Sequence, residues 1–238
     1  MKSILTIENL SKSFTLHNLN KHIRALDRID LDVKEGEFVG ITGKSGSGKS
    51  TILKSIYRTY AIKGGDIWYA SKKFDRINLA EASERQIVYL RKHEIGCVSQ
   101  FLNVMPRTTA RELVEQAIAE MGSSEDAAMR EAEKMLAHFE LDEELWDSYP
   151  ATFSGGEKLR LNIAIAMAKR PRLLLLDEPT ASLDNSSKIK VKILIEQLMK
   201  EGTTMLGIFH DLEFMKNLCT REYRIQDGKF LPGGNVVS

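Results

Sequence analysis

Residues 43 to 51 read "GKSGSGKST", a run that satisfies the spacing G-x-x-x-x-G-K-[ST] in full. Gly43, Gly46 and Gly48 carry no Cβ, so the backbone can bend until successive N–H groups surround an anion. Lys44, Ser45, Ser47 and Thr51 complete the run. Lys49 supplies a point charge for β- and γ-phosphates, and the Ser50 hydroxyl can ligate Mg²⁺. A glycine-rich turn between strand and helix is the plain alternative, and it accounts for neither Lys49 nor Ser50. A second run, "RLLLLDEP" at 172 to 179, ends four leucines in two acids. Such a strand is buried on both faces and delivers its acids to one edge of a sheet. Asp177 is placed there to hold the shell of a Mg²⁺ ion, and Glu178 to polarise an attacking water as general base. A lone Asp-Glu pair would read as solvated loop; beside a phosphate loop it reads as chemistry.

A third run, "TFSGGEKLRL" at 152 to 161, heads an amphipathic helix with a serine and two glycines. Ser154 and Glu157 have capping-box spacing, and Leu159, Ile163, Ala166 and Met167 form an apolar stripe. A cap alone does not require Gly155 and Gly156, because glycine in the first turn weakens a helix. Bare N–H groups at the positive end of a helix are a means of receiving phosphate. His210 ends the strand "TTMLGIFH" and Gln100 ends "EIGCVSQ". Taken singly, each is a hydrogen-bonded structural residue. At the carboxyl edge of a parallel sheet, His210 can instead contact a γ-phosphate, and Gln100 can sense Mg²⁺ or water.

These residues need elements to hold them. "ILTIENL", "IDLDV", "GEFVGITG", "EIGCVSQ", "RLLLLDEP" and "TTMLGIFHD" read as strands, and "GGDIWYASKKFDRINLA" as an extended hairpin. "STILKSIYRTY" and "SERQIVYLRKH" read as helices, the second with Ser83 and Gln86 in capping-box spacing. Residues from about 107 to 150 are rich in Ala, Glu, Met and Leu and read as a helical insertion. Helices follow from 155, near 186 to 201 and from about 212, and Asp227-Gly228 marks a closing hairpin. Alternating strands and helices imply a mainly parallel sheet covered on both faces, with an added antiparallel sheet.

The totals set the class. The chain has 238 residues, with Lys plus Arg at 34 against Asp plus Glu at 33. Near-neutrality gives no general electrostatic case for nucleic acid. The longest apolar run, Ile163 to Ala168, is too short to span a bilayer, and the N-terminus lacks the pattern of a signal peptide. Cys97 and Cys219 have no metal-ligand spacing and read as reduced, mostly buried thiols. A cytoplasmic domain is expected.

Taken in order, "GKSGSGKST", Gln100, "SGGEK", "LLLLDEP", "SLD" and His210 resemble the ATP-binding-cassette (ABC) ATPases nearly end to end. The resemblance implies an α/β P-loop fold in one domain over 1–238. Its core and β subdomain would span about 1–100 and 154–238, and its helical subdomain about 101–153. It implies ATP and Mg²⁺ as cofactors, with a Walker A loop at 43–51 and a Q-loop at Gln100. The signature would lie at 154–158, Walker B at 173–177, the catalytic base at Glu178, the D-loop at 182–184 with Asp184, and the switch at His210. Ser50, Gln100 and Asp177 would attend the metal. Phe14 would stack on adenine or belong to the core. In this family Ser154, Gly155 and Gly156 meet the nucleotide of a second subunit, so the partner is another copy or a homologue. The signature departs from the commonest form at Phe153 and Glu157, and a carboxylate near phosphate must point away from it.

The cluster Phe101, Leu102, Val104 and Met105 reads as a docking edge coupled to Gln100 or as a loop packed on the helical subdomain. The region is similar to ATPases of lipoprotein release and macrolide export, which engage membrane permease subunits. "SQFLNVMPR", "LWDSYPATFSGGE", "NIA", "LLLLDEPTASLD", "GIFHD" and "LSKSFTLH" more closely resemble the PhnL-type ATPases of the bacterial carbon–phosphorus lyase system. That resemblance implies soluble lyase subunits as partners in phosphonate breakdown.

Overall fold

The computed structural model describes residues 2–16, 21–99, 107–180, 183–209, 215 and 218–231. Gln100, the cluster at 101 to 106, Ser182, His210 and the helix expected from about 212 lie outside the described residues, apart from Met215. The chain opens with a long hairpin of β1 (Ser3–Leu16) and β2 (Lys21–Lys34), both longer than the sequence pattern suggests. Then come β3 (Phe38–Thr42), α1 (Lys49–Ile56), β4 (Gly64–Ser71), β5 (Asp75–Asn78), α2 (Glu84–His93) and β6 (Ile95–Val98). The helical insertion comprises α3 (Ala110–Ala119), α4 (Glu125–His138) and the short α5 (Glu143–Trp146). It is followed by α6 (Gly155–Ala168), β7 (Leu173–Asp177), α7 (Asn185–Lys200), β8 (Thr204–Phe209), β9 (Arg221–Gln226) and β10 (Lys229–Phe230).

Among the described residues the strands form two sheets. One is antiparallel with order β2-β1-β4-β5; the other has order β10-β9-β3-β8-β7-β6. In the second, β9, β3, β8, β7 and β6 are parallel, and β10 turns back antiparallel. This is the P-loop arrangement expected of the sequence, with an added antiparallel sheet.

Side-chain alternation explains why the sheets stack. In β2, Ile29, Leu31 and Val33 are buried while Asp30 faces water. They join Ile4, Leu5, Ile7, Ile52, Leu53, Leu206 and Ile208 in one apolar core between the antiparallel sheet, α1 and one face of the parallel sheet. Strand β7 divides its leucines between two cores: Leu173 and Leu175 belong to this one. Leu174 and Leu176 face a second core with Phe38, Met205, Phe209 and the apolar sides of α3, α4, α6 and α7. The helical insertion is therefore continuous with the core of the main sheet. Arg111 ties its helices by pairing Nε and Nη2 with Asp147 at 2.8 and 3.1 Å and by reaching Glu133 through Nη1. Arg221 joins β9 to β2 through Asp32 at 3.0 Å and to Glu37 at 3.0 Å.

The capping box at Ser83 and Gln86 forms as the sequence indicates, and Thr109 with Glu112 makes a further one at α3. The fold makes one quantitative demand. Leu175→Ala removes a fully buried side chain from the middle of β7, and a drop of about 2–5 kcal/mol is expected from lost burial plus the cavity. Urea unfolding checks it: the midpoint falls while the slope is unchanged.

Candidate functional site: a phosphate cradle at the carboxyl edge of the sheet

Strand β3 ends at Thr42, and the loop from Gly43 to Gly48 carries the chain into α1. All three of its glycines take positive φ: Gly43 at 152°, Gly46 at 77° and Gly48 at 110°. Gly48 shows why glycine is needed. It occupies the N-cap of α1 in the left-handed region, and a Cβ there would lie 2.4 Å from the Ala25 carbonyl oxygen. Because glycine has no side chain to cap with, the first N–H groups of α1 are left without an intrahelical or side-chain acceptor. The positive end of the helix therefore opens toward the loop.

Lys49 is almost wholly buried. Its ammonium donates to the loop's own carbonyls, Gly43 O at 2.9 Å and Lys44 O at 3.1 Å. Burial pulls it below the ordinary lysine range, and Glu178 and Asp177 partly oppose that shift. Ser47 Oγ is buried without a partner among the described residues. An uncapped helix start and a desolvated cation around one loop form a cradle for an anionic chain of phosphates.

The acids arrive from β7. Asp177 Oδ1 accepts a 3.0 Å hydrogen bond from Ser50 Oγ, so two of the three residues expected to attend Mg²⁺ meet directly. Desolvation raises Asp177 above the ordinary carboxylate range, despite opposing contributions from Ser50, Lys54 and Lys49. Among the described residues no cluster of three or more His, Cys, Asp or Glu side chains could hold a metal alone. One carboxylate and one hydroxyl suit Mg²⁺, which retains waters and takes further oxygens from phosphate. Glu178 sits just past the strand in the left-handed region, at φ 53°, with its N–H bonded to Ile208 O at 3.2 Å. For a glutamate this is an uncommon backbone state, of the kind that accumulates at functional positions.

Lys49, Ser50, Thr51, Ser45, Gly46, Gly48 and Glu178 line one cavity of about 390 Å³. Its remaining walls are Ile23, Arg24 and Ala25 of β2 and the turn Asp227-Gly228. Nothing in the sequence marked β2 as part of the site, and Asp227-Gly228 carried only a hairpin signal. The turn reaches the loop through Gly228 N–H to Ser47 O at 3.1 Å, and Asp27 N–H meets Gly228 O at 2.8 Å. Phe14 lies directly opposite Ile23 in the β1–β2 register. This puts both side chains on the same sheet face, at the cavity's edge. Its ring packs edge-on against Tyr60 at 5.2 Å and does not itself line the cavity.

The signature run stands elsewhere. Ser154 caps α6: its Oγ accepts from Glu157 N–H at 3.4 Å, while Glu157 Oε2 accepts from Ser154 N–H at 2.7 Å. The carboxylate that departs from the commonest signature is thus turned back onto its own helix cap. Ser154 and Gly155 are exposed, Gly156 is buried, and none of Ser154, Gly155, Gly156 or Glu157 lines the cavity. Asp184 caps α7 through Ser187 N–H at 2.8 Å, also outside the cavity.

A family model described as "ABC transporter" matches residues 26–181, well over half of the chain. The chain belongs to the ABC transporter family. It is an ATP hydrolase of the ABC type, and the cassette binds ATP. Its relatives include the glutamine transport ATP-binding protein GlnQ of Escherichia coli (strain K12), 34% identical over 92% of this chain and 89% of the relative. The lipoprotein-releasing system ATP-binding protein LolD of Aquifex aeolicus (strain VF5) is 34% identical over 96% of each chain. The methionine import ATP-binding protein MetN of Haemophilus influenzae (strain 86-028NP) is 31% identical over 98% of this chain. The cassette spans only 65% of that relative's length. Among solved structures, the dimeric cassette MJ0796 in a post-hydrolysis state bound to ADP and Pi superposes with a TM-score of 0.88. It is 29% identical and is covered over 98% of this chain and 99% of that one.

The desolvated acid of the cassette has a measurable signature. A carboxyl group whose folded-state pKa is raised costs stability once ionised, and the cost vanishes at pH values where it is protonated in both states. Nucleotide-free Asp177→Asn is therefore expected to melt above the parent at pH 7. The gap should close as pH falls through Asp177's raised folded-state pKa toward the ordinary carboxylate range. Thermal scans of both proteins across pH 4 to 8, at a pH step of about 0.5 to resolve a single titration, check the sign.

Proposed function

We propose that this ATPase is the nucleotide-hydrolysing subunit of a membrane transporter, working as a head-to-tail dimer with a second ABC subunit against permease subunits at the cytoplasmic face. The support is that the named relatives are transport ATP-binding proteins, two of which match over at least 89% of both chains. The described part of the cassette has no helix long and apolar enough to cross a membrane, so a membrane-spanning partner would be a separate chain or segment. One observation supports the second subunit: Lys49, Ser50 and Glu178 share a cavity that the signature residues do not line. A signature in trans completes such a half-site.

In this reading Lys49 and the N–H groups of the 43–48 loop hold the β- and γ-phosphates, and Ser45 and Thr51 flank them. Ser50 and Asp177, joined by Gln100, would hold Mg²⁺, which would supply charge neutralisation on the phosphates. Glu178 takes the proton from a water that forms the new P–O bond, while the bond from the γ-phosphorus to the departing ADP oxygen breaks. His210 steadies the γ-phosphate, and Phe14 packs at the adenine end. Ser154 and Gly155 of the partner close the site over the nucleotide.

Glu178→Gln keeps the shape and removes the base, so turnover is expected to fall by about 10²–10⁴-fold. ATP should then hold a dimer that is visible by gel filtration in Mg²⁺. A monomer with undiminished hydrolysis would contradict both the base and the trans site. Ser154→Arg is expected to block hydrolysis while the isolated subunit still binds ATP, a contrast that a fluorescent nucleotide titration resolves.

A second reading, the PhnL-type subunit of carbon–phosphorus lyase, is favoured by the runs "SQFLNVMPR" and "LWDSYPATFSGGE". Affinity capture of the tagged protein from its native cells grown on phosphonate, with and without ATP, separates the two. Polytopic membrane proteins among the captured partners support the transporter reading, and soluble lyase subunits overturn it.

A further inference from the structure

The two glycines of the signature are not equivalent. Gly155 is exposed at the first position of α6, whereas Gly156 is buried. A Cβ built on Gly156 would lie 2.7 Å from Ser187 Oγ and 3.0 Å from Ser187 Cβ. Those atoms belong to the first turn of α7 in the same chain. Ser187 cannot retreat easily, because Asp184 grips it twice. Its N–H donates to Asp184 Oδ1 at 2.8 Å and its hydroxyl to Asp184 Oδ2 at 3.2 Å. The Ser186 hydroxyl adds a third bond to the same carboxylate at 2.9 Å. These bonds, that of the Ser187 N–H foremost, hold Asp184 below the ordinary carboxylate range. A line of contact therefore runs from Asp184 through Ser187 to Gly156. It joins the starts of α7 and α6, whose positive ends converge there and would otherwise repel.

We infer that Ser187 is a positioning residue for ATP hydrolysis: it sets the spacing between the start of α7 and the signature helix, and Gly156 is glycine in order to admit it. The inference rests on the signature acting at the nucleotide, as proposed above. The demand for glycine at 156 is then internal to the chain, and Gly155 is the glycine left open to a ligand. A methyl group at 156 separates the helix starts and displaces Ser154 and Gly155. Misplacement of about 1 Å at a reacting centre costs on the order of 10²-fold in rate.

The test is a steric swap read in ATP turnover at saturating nucleotide and in the affinity of the isolated subunit for a fluorescent ATP analogue. Gly156→Ala is expected to lower turnover roughly 10- to 100-fold while nucleotide affinity is unaltered. Adding Ser187→Gly removes the opposing atoms: Ser187→Gly alone is expected to lose less turnover than Gly156→Ala, and the double variant to match Ser187→Gly. A double variant as slow as Gly156→Ala overturns the inference, because the methyl then obstructs something other than Ser187. Full activity of Gly156→Ala, or a collapse of its nucleotide affinity, overturns it as well. If Gly156→Ala does not fold, Ser187→Val carries the test with Gly156 intact: reduced turnover at unchanged affinity supports the inference, and undiminished turnover overturns it. The ATP-dependent dimer of Glu178→Gln tests the trans site separately. Its absence would remove that reading while leaving the rescue result standing.

Discussion

Strand β7 is buried on both faces, so its four leucines leave only one place for a charge: the end. Leu173 and Leu175 face the core beneath the antiparallel sheet, and Leu174 and Leu176 face the core beneath the helices. Asp177 and Glu178 follow with β3 one strand removed in the sheet order, so the loop after β3 and the acids after β7 come out on the same edge. The burial that fixes this position also desolvates Asp177. Asp177 is left with a raised pKa and Lys49 with a lowered one, each partly compensated by the other. A site of this kind is held together by the cores behind it and is unfavourable in itself until an anion and a cation arrive together.

The parts of the site that rest on short-range geometry were legible in the sequence. The loop 43–51, the acids at 177 and 178 and the cap at Ser154 each depend on neighbours a few residues away, and each forms as the spacing indicates. The finer choice of partner was not legible in the same way. It rests on runs around Gln100 whose meaning depends on what docks there, and the named relatives point to transport proteins. Also hidden were the walls supplied by Ile23, Arg24, Ala25 and Asp227-Gly228. No periodicity records that β2 and a distant hairpin meet the same loop, because that contact follows from sheet order. The lengths of β1 and β2 were underestimated for a related reason: residues 12–16 and 21–24 are held extended by pairing, as in Phe14 opposite Ile23, where alternation alone gives no signal.

The signature shows how one cap can solve two problems. A glutamate near a phosphate site would repel it by direct charge. Engaged with Ser154 N–H, the Glu157 carboxylate instead satisfies a donor at the helix start. The departure from the commonest signature is thus absorbed locally, by the same bond that starts the helix. Phe153 contributes from the other side, buried in the helical core where it anchors the approach to the cap.

The turn at Asp227-Gly228 has a temporal meaning as well as a spatial one. Gly228 bonds Ser47, and Ile225 presses on the loop at Gly43, where a Cβ would come within 2.3 Å of the Ile225 carbonyl oxygen. The glycine-rich loop leaves the ribosome early, but the residues that brace it leave late. During synthesis the emerging polypeptide would therefore carry the complete nucleotide motif without its brace for most of translation. Competence to grip ATP would then arrive abruptly, once β9 docks beside β3, rather than growing with chain length.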